Sequence, residues 1–208
     1  MTEADVRAAS QEGRSVELRS GFIVTPAARD LAAKLGVAIH EGNPGRGDSD
    51  AATRIAVGSD HGGYQMKEFL KNLLTELGCD VEDVGCHSAE SVDYPVYAAR
   101  VAELIAAGEV EFGVMIDGAG IGSAMVGNKI LGVRAALCHD ITTATNAREH
   151  NNANMLTLGG TLLGNRLAAE VVKTFLHTRF AGGRHQRRVS MIDALDGERT
   201  NTAPSEKT

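Results

Sequence analysis

Short strand-forming runs and amphipathic segments alternate from Arg54 almost to the end of the chain. The runs are RIAVGSD, DVEDVG, FGVMID, VRAALCH and NMLTLGG, and segments with helical periodicity such as YQMKEFLKNLLTELG separate them. Strands that are joined through helices lie parallel, with right-handed crossovers. The alternation predicts an α/β fold, a doubly wound, Rossmann-like sheet of five parallel strands with helices on both faces.

A less regular region precedes this pattern. Its helix signal is TPAARDLAAKLG, in which Thr25 is the expected N-cap, Pro26 takes the first helical position and Gly36 is the stop. The β-prone runs SVEL and VAIH flank this segment, and EGNPGRGDSDAAT, which follows, has the Gly, Asp and Ser content of a linker. We expect an N-terminal appendage at residues 1–40, a linker at 41–53, a main domain at 54–195 and a disordered tail at 196–208.

The composition restricts the classes of partner. A formal charge of −6 argues against a nucleic-acid binder, which would carry a basic stripe. The three cysteines, Cys79, Cys86 and Cys138, form neither a CxxC pair nor a zinc-ligand spacing. The polar N-terminus does not read as a secretory signal, and no apolar run approaches the ~20 residues that span a bilayer. We therefore expect a soluble protein in the reducing cytoplasm.

Polar groups gather at the ends of the predicted strands. The strand ends are Ser59–Gly63, Asp117–Gly118, His139–Asp140 and Gly159–Gly160, and three of the four include an acid or a histidine. In open α/β sheets, ligands bind beyond the carboxyl ends of the strands, where the strand order reverses. The sequence therefore predicts a binding site at this edge of the sheet.

A glycine-rich loop follows the third strand of this region. Asp117 ends the strand, and the loop consists of Gly118, Ala119, Gly120, Ile121 and Gly122. Converging backbone N–H groups and a helix N-terminus suit a phosphate, a carboxylate or a developing oxyanion. A dinucleotide fingerprint is the first alternative, but it needs a third glycine where Ser123 stands and normally opens a domain. A purely structural turn is the second alternative.

Three further places supply candidate side chains, each with a plainer alternative. Asp60 and His61 follow the first strand, where an aspartate often only caps a helix. The hydroxyl of Tyr94 could bind a sugar, although a tyrosine before a helix-starting proline is often simply buried. His150 ends the fourth helix of the main domain and lies near the carboxyl edge only if that helix curls back. By itself it is more often a surface histidine.

A basic segment, GGRHQRR at residues 182–188, follows the last long helical pattern. Arg184, Arg187 and Arg188 lie within one or two turns of one another, so two guanidinium groups could hold one phosphate. The preceding glycine pair suggests a hinge that aims the segment, for example into a neighbouring subunit. A basic turn after a helix is otherwise usually a solvated face.

Taken in order, these motifs resemble one known family. GSDHGGYQMKEFL, SVDYPVYA, GAGIG…NK, AREHNNANML and GGRHQRRV are similar to the motifs of the ribose-5-phosphate isomerase type B family, which also includes galactose-6-phosphate isomerase subunits. The resemblance extends from residue 54 to about residue 195. It implies an aldose–ketose isomerase, without metal or cofactor, that opens a sugar ring and works through a cis-enediolate. It also implies dimers or tetramers whose active sites are shared across a dimer interface.

The resemblance carries roles over to individual positions. Asp60, His61 and Tyr94 would contact the sugar, and the amides after Asp117 would hold the enediolate oxygen. His150 would assist ring opening with Asn151 beside it, and Arg184 and Arg188 would bind the phosphate.

Four positions depart from the family pattern. Asp117 stands where many members have a cysteine base, and Ser123 stands where others have a glutamate base. Asp117 is therefore the proton acceptor that the motif supplies, and partial burial could adapt a carboxylate to this role. Ala119 replaces a common Ser or Thr, and Thr161 replaces an arginine, which would remove one phosphate contact.

The resemblance implies a ribose 5-phosphate/ribulose 5-phosphate isomerase of the pentose phosphate pathway. An isomerase of another phosphosugar, such as galactose 6-phosphate, and a catalytically silent sugar-phosphate-binding subunit stay open as alternatives. The N-terminal SGFIVTPAARDLAAKLG is loosely similar to a short element in enzymes associated with bacterial microcompartments. We therefore expect residues 1–40 either to dock the enzyme to such an assembly or to pack on its own oligomer.

Overall fold

The computed structural model of the protein describes residue 10 and residues 16–18, 26–37, 39–41 and 52–201. The chain divides into two units, Met1–Ala51 and Ala52–Thr208. In the first unit, strands β1 (Val16–Leu18) and β2 (Ile39–Glu41) pair in parallel, and helix α1 (Pro26–Leu35) connects them. Gly36 has a φ of 66°, the left-handed conformation that ends a helix. Thr25, the expected N-cap, and most of the predicted linker lie outside the described residues.

The second unit contains the predicted sheet of five parallel strands. Its strands are β3 (Arg54–Ser59), β4 (Asp80–Gly85), β5 (Phe112–Asp117), β6 (Ala135–Leu137) and β7 (Met155–Gly159), in the spatial order β4-β3-β5-β7-β6. The chain first moves from β3 to β4 on one side and then returns to place β5 on the other side of β3. The strand order therefore reverses between β3 and β5, and the crevice beyond their carboxyl ends is the expected ligand position.

Within residues 52–201, six helices connect or follow the strands. They are α2 (Tyr64–Glu76), α3 (Tyr94–Ala106), α4 (Ile121–Gly127), α5 (Ile141–Glu149), α6 (Asn165–His177) and α7 (Arg184–Asn201). None of the helices in the described part of the chain is long and apolar enough to cross a membrane.

Alternate residues of the strands build two separate cores. On one face, Ile55 and Val57 pack in a cluster with residues of α2, α5 and α6, among them Leu70, Ala144 and Phe175. On the other face, Ala56 and Met115 pack with residues of α3 such as Val101. Because side chains alternate between the faces of a strand, both faces of the sheet are buried. This confirms the predicted fold with helices on both faces.

Helix α7 continues into the segment that the sequence predicts as a disordered tail. It ends at Asn201, and the carboxylate of Asp196 accepts a hydrogen bond from the amide of Gly132, 2.9 Å away. Residues 196–201, which the sequence assigns to the tail, belong to this helix in the structure, and the Asp196 contact attaches the helix beyond the basic segment. Residues 202–208 lie outside the described residues.

Candidate functional site

The loops after β3 and β5 meet at the point where the strand order reverses. The amide of Asp60 donates a hydrogen bond to the carbonyl oxygen of Ile116, at 3.1 Å. A side chain on Gly63 would place its Cβ only 2.2 Å from the same carbonyl oxygen, so only glycine allows this approach. A Cβ on Gly62 would lie 3.5 Å from Cα of Gly118. The predicted sugar-binding loop and the glycine loop are therefore neighbours.

Asp60 and His61 are fixed within this crevice. The Asp60 carboxylate is buried, and its Oδ1 accepts a hydrogen bond from the amide of Gly63 at 2.9 Å. This contact holds the turn before α2, but it is not a helix cap, because Gly63 is the N-cap of α2 and no side chain caps this helix. His61 is exposed, and its Nδ1 accepts a hydrogen bond from the amide of Val92 at 3.3 Å. A neutral His61 therefore carries its proton on Nε2, which is left as a donor for a ligand.

Tyr94 joins this group from the start of α3. A Cβ added to Gly122 would lie 2.5 Å from the Tyr94 hydroxyl oxygen, so the phenol rests directly on the first turn of α4. The structure thus brings together the predicted residues Asp60, His61, Tyr94 and Asp117 with the loop at 118–122. We call this group the carboxyl-edge site.

The Asp117 carboxylate is tied into the loop that follows it. It is 5% exposed, and its Oδ1 accepts hydrogen bonds from the amides of Ala119, at 2.8 Å, and Gly120. Its Oδ2 accepts hydrogen bonds from the Ser123 amide, at 3.0 Å, and from the Ser123 hydroxyl. A carboxylate has about four acceptor positions, and these four bonds occupy them.

This arrangement assigns part of the loop to Asp117 itself. The amides of Ala119, Gly120 and Ser123 hold the Asp117 carboxylate itself. Only amides that do not donate to Asp117 can serve a ligand at the same time. The sequence did not indicate this role of Ser123, because the motif marks its position only by the glutamate or glycine that is absent there.

Thr161 supports the same loop. Its hydroxyl donates a hydrogen bond to the carbonyl oxygen of Gly118 at 2.6 Å, and its amide donates to the same oxygen at 3.2 Å. The amide of Gly160 donates to the carbonyl oxygen of Asp117 at 2.7 Å. The threonine that replaces an arginine of the family pattern therefore ties β7 to the glycine loop.

The other predicted residues lie at the opposite edge of the sheet. Helix α5 ends at Glu149, and the carbonyl oxygen of Asn154, just before β7, accepts a hydrogen bond from the amide of Gly113 at 3.0 Å. The turn that carries His150 therefore lies at the amino edge. Four residue steps along β5, about 13 Å, separate the level of Gly113 from that of Asp117. Helix α5 does not curl back, so Asp117 and His150 of one chain do not converge.

His150 stacks on a second histidine, His185, which is not among the predicted site residues. The ring centroids of His150 and His185 lie 4.3 Å apart with an interplanar angle of 1°. Nδ1 of His150 is 2.8 Å from the side-chain amide nitrogen of Asn146, and Nε of Arg184 donates to Nε2 of His185 at 3.3 Å. His185 stands within the motif GGRHQRR, so the segment that indicates the arginines also contains this histidine.

The phosphate-binding candidates lie beside this histidine pair. Arg184 and Arg188 are exposed on α7, and Asn151 is exposed next to His150. The amide of Ala181, just before α7, donates to the carbonyl oxygen of Glu149 at 2.9 Å and so fixes the turn of His150 to the entry of α7. We call His150, Asn151, His185, Arg184 and Arg188 the amino-edge cluster.

A groove with a volume of about 560 Å³ runs along the edge strand β6. Its lining includes Arg134, Cys138, Asn146 and Asn151, whereas neither Asp117 nor His150 lines it. Burial raises the pKa of the Cys138 thiol to about 11, so this thiol is protonated at neutral pH. Among the residues that the structure describes, no three His, Cys, Asp or Glu side chains are grouped so that they could hold a metal ion.

Comparison with known proteins gives consistent matches over the second unit. The family described as Ribose/Galactose Isomerase matches residues 55–192. Ribose-5-phosphate isomerase B of Escherichia coli (strain K12) is 40% identical over 146 residues, which are 70% of this chain and 98% of that protein. The LacA subunit of galactose-6-phosphate isomerase from Staphylococcus aureus (strain JH9) is 38% identical over 141 residues, 68% of this chain and 98% of that subunit.

A solved structure supports the same relationship. Ribose-5-phosphate isomerase B of Clostridium thermocellum superimposes with a TM-score of 0.70 at 42% sequence identity. The match covers 71% of this chain and 99% of the Clostridium chain. The N-terminal unit lies outside the matched family region.

Proposed function

Because the chain belongs to the ribose/galactose isomerase family of sugar-phosphate isomerases, we propose that it interconverts ribose 5-phosphate and ribulose 5-phosphate. It would be an aldose–ketose isomerase, an intramolecular oxidoreductase. The observation that carries the proposal is the division of the polar side chains into two complementary groups. The carboxyl-edge site offers a carboxylate and groups that bind hydroxyls, and the amino-edge cluster offers an imidazole and two guanidinium groups for a phosphate.

We place the complete active site between two copies of the chain. One sugar phosphate cannot reach both edges of the same sheet, but the amino-edge cluster of one copy can lie against the carboxyl-edge site of another. Exposed apolar side chains flank both groups: Val96 and Met125 are 66% and 63% exposed, and Met191 and Leu195 are 61% and 52% exposed. Surfaces of this kind are typical of an interface between subunits. A homodimer, or a tetramer of such dimers, would cover them.

The proposed reaction begins with opening of the sugar ring by His150 of a second copy. The Asp117 carboxylate then takes the proton from C2 of the open aldose, which gives a cis-enediolate, and returns it to C1 while a proton moves from O2 to O1. Asp60, His61 and Tyr94 would bind sugar hydroxyls. General-base catalysis of this kind contributes ~10²–10⁴-fold to the rate.

Asp117 must exchange one hydrogen bond before it can accept a proton. The Ser123 hydroxyl is the partner best suited to this exchange, because a hydroxyl can rotate and a backbone amide cannot. The amides of Gly118, Ile121 and Gly122 are the loop amides that do not donate to Asp117, and they would stabilise the enediolate oxygen. The proposed oxyanion site is therefore narrower than the whole loop.

Two other functions each have an observation in their favour. The four hydrogen bonds to Asp117 favour a silent, sugar-phosphate-binding subunit in which this carboxylate only holds the loop. Thr161, in the place of an arginine, favours an isomerase of a different phosphosugar, and a relative named as a galactose-6-phosphate isomerase subunit agrees with that reading.

Exchange of hydrogen at C2 tests all three functions. The purified full-length protein is incubated in D2O with a panel of pentose and hexose phosphates, and deuterium at C2 is followed by NMR. We expect exchange with ribose 5-phosphate and formation of ribulose 5-phosphate. Exchange with a hexose phosphate alone would replace the proposed substrate. Binding of sugar phosphates without any exchange would identify the silent subunit.

A further inference from the structure

Helix α7 presents different residues to the protein and to the outside. His185, Val189 and Asp193 follow one another at intervals of four and therefore share one face, and the first two of them are buried. Arg184 and Arg188 lie on the exposed side. The contacts of the inner face of α7 therefore fix the orientation of the helix and, with it, of the phosphate-binding arginines.

Two carboxylates of this helix attach it to the segment before β6. Oδ1 of Asp193 accepts a hydrogen bond from Nη1 of Arg134 at 2.9 Å, and Oδ2 of Asp196 accepts one from the amide of Gly132 at 2.9 Å. The Arg134 side chain is 18% exposed and that of Asp193 is 44% exposed. The ion pair therefore forms at the rim of the structure, where a substitution of Asp193 leaves the core intact.

Arg134 also holds the turn that follows α5. Its Nε and Nη2 both donate to the carbonyl oxygen of Asn152, at 3.1 and 3.0 Å. Asn152 has a φ of 47°, which is uncommon for a residue other than glycine and needs support from its surroundings. Arg148 supplies more of that support, since its Nη1 donates to Oδ1 of Asn152 at 3.0 Å and to the carbonyl oxygen of Ala153 at 2.6 Å.

We propose that Arg134 is a positioning residue that fixes the ring-opening histidine, His150, relative to the phosphate-binding arginines, Arg184 and Arg188, and that Asp193 is the latch through which it acts on α7. The inference rests on the proposed function for the roles of these three residues. One guanidinium group contacts both the turn of His150 and the helix of the arginines. Arg134 therefore adds a side-chain link between the two parts of the amino-edge cluster, beside the Ala181–Glu149 hydrogen bond and the stacked histidines.

The role proposed for Asp193 and the loss of its negative charge predict opposite changes in phosphate affinity. Removal of the negative charge of Asp193 from the helix that carries the arginines would by itself strengthen the binding of an anion. Release of α7 from Arg134 would instead weaken it, because the two guanidinium groups would lose their common orientation. The variant Asp193→Asn keeps the size of the side chain but reduces the ion pair with Arg134 to at most a neutral hydrogen bond, and so separates the two effects.

The experiment measures the binding of inorganic phosphate to the full-length protein by isothermal titration calorimetry. The wild type is compared with Asp193→Asn, with Arg188→Gln and with the control Glu170→Gln. The control breaks another exposed ion pair, that of Glu170 with Lys173 on α6, 3.2 Å apart. Size-exclusion chromatography confirms that all proteins have the same oligomeric state. We expect phosphate binding to weaken about three- to fivefold in Asp193→Asn, to be lost in Arg188→Gln and to be unchanged in the control.

Unchanged or tighter phosphate binding by Asp193→Asn would overturn the inference, and so would a wild type that binds no phosphate. With ribose 5-phosphate, Asp193→Asn should raise KM with kcat unchanged, whereas Arg134→Met should also lower kcat because His150 loses its support. If Asp193 and Arg134 only stabilised the fold, their substitution would lower the melting temperature, and the two variants would not differ in their effects on KM and kcat. If the wild type turns over no phosphosugar, the proposed function fails, and the phosphate titrations still decide the role of the latch.

Discussion

The imidazole rings of His150 and His185 stack in parallel planes with their centroids 4.3 Å apart. Burial lowers the pKa of His185, and the neighbouring cationic groups, His150, Arg184 and Arg188, lower it further, while Glu149 opposes them. The surroundings of His185 therefore favour its neutral form, because a positive charge on this ring would lie beside the guanidinium groups of Arg184 and Arg188.

The stability of the protein should consequently fall as the pH drops through the ordinary range of histidine. Below about pH 6.5, His185 is protonated in the unfolded chain but still neutral in the folded chain, because its pKa is lowered by folding. Acid therefore favours the unfolded chain until the pH falls below the lowered pKa of the folded state. His185→Gln should reduce the loss of unfolding free energy between pH 7.5 and 5, measured by urea denaturation. His177, whose pKa is lowered by burial and by Lys173, would account for part of the remaining loss. An unchanged pH dependence in His185→Gln would contradict the prediction.

Asp117→Asn tests the proposed base. The amide keeps the shape of the side chain but cannot accept a proton from C2, so we expect kcat to fall at least ~10²-fold. Asp117→Cys supplies the residue that the family resemblance leads us to expect at this position, and it should retain more activity than Asp117→Asn. Near wild-type turnover by Asp117→Asn would mean that another group is the base.

The test of Asp117 as a base needs a control, because its carboxylate also holds the glycine loop at residues 118–122. Ser123→Ala removes only the hydroxyl hydrogen bond to Asp117 and should cost about 1 kcal/mol of stability while turnover falls far less than in Asp117→Asn. Thermal melts of these variants separate the two roles. If Asp117→Asn and Asp117→Cys lose stability and activity in parallel, Asp117 is an anchor of the loop rather than a base.

Gly122→Ala should damage substrate binding through Tyr94. The new Cβ would lie 2.5 Å from the Tyr94 hydroxyl oxygen, so the phenol must move away from the glycine loop. We expect KM for ribose 5-phosphate to rise by about tenfold, the equivalent of one lost hydrogen bond to the sugar. Tyr94→Phe, which keeps the ring in place and loses only the hydroxyl, is the matched control. A normal KM in both variants would exclude Tyr94 from the sugar site.

The sequence was sufficient to predict the fold, because strand and helix periods alternate five times along the chain. This alternation is compatible with one arrangement of layers, a parallel sheet with helices on both faces. It also located the carboxyl-edge site, since the end of a strand fixes the position of the residue that follows it. It could not show that Asp117 binds Ser123 and the amides of its own loop, because hydrogen bonds within a loop depend on its exact backbone path. It also left the edge at which His150 lies open, because that position depends on the length and direction of α5.

Removal of the first unit should leave the chemistry unchanged. The chain divides after Ala51, and the family match begins at residue 55. A variant that lacks residues 1–51 should therefore have wild-type kcat and KM. If the segment docks the enzyme to a partner or to a microcompartment, the variant should be mislocalised in cells, as followed by a fluorescent fusion. Unchanged localisation together with an unchanged oligomeric state would remove the support for docking.

Mixed dimers test whether one active site draws on two chains. Asp117→Asn and His150→Asn should each be inactive alone, because every site then has one damaged half. In a mixed dimer, one site contains both substitutions and the other contains neither, so activity returns. Random association makes about half of the dimers mixed, each with one intact site of two, and predicts about one quarter of wild-type turnover. The measurement is the rate of isomerisation after the two tagged variants are co-expressed and purified. The result that would refute a shared site is a mixture no more active than its components.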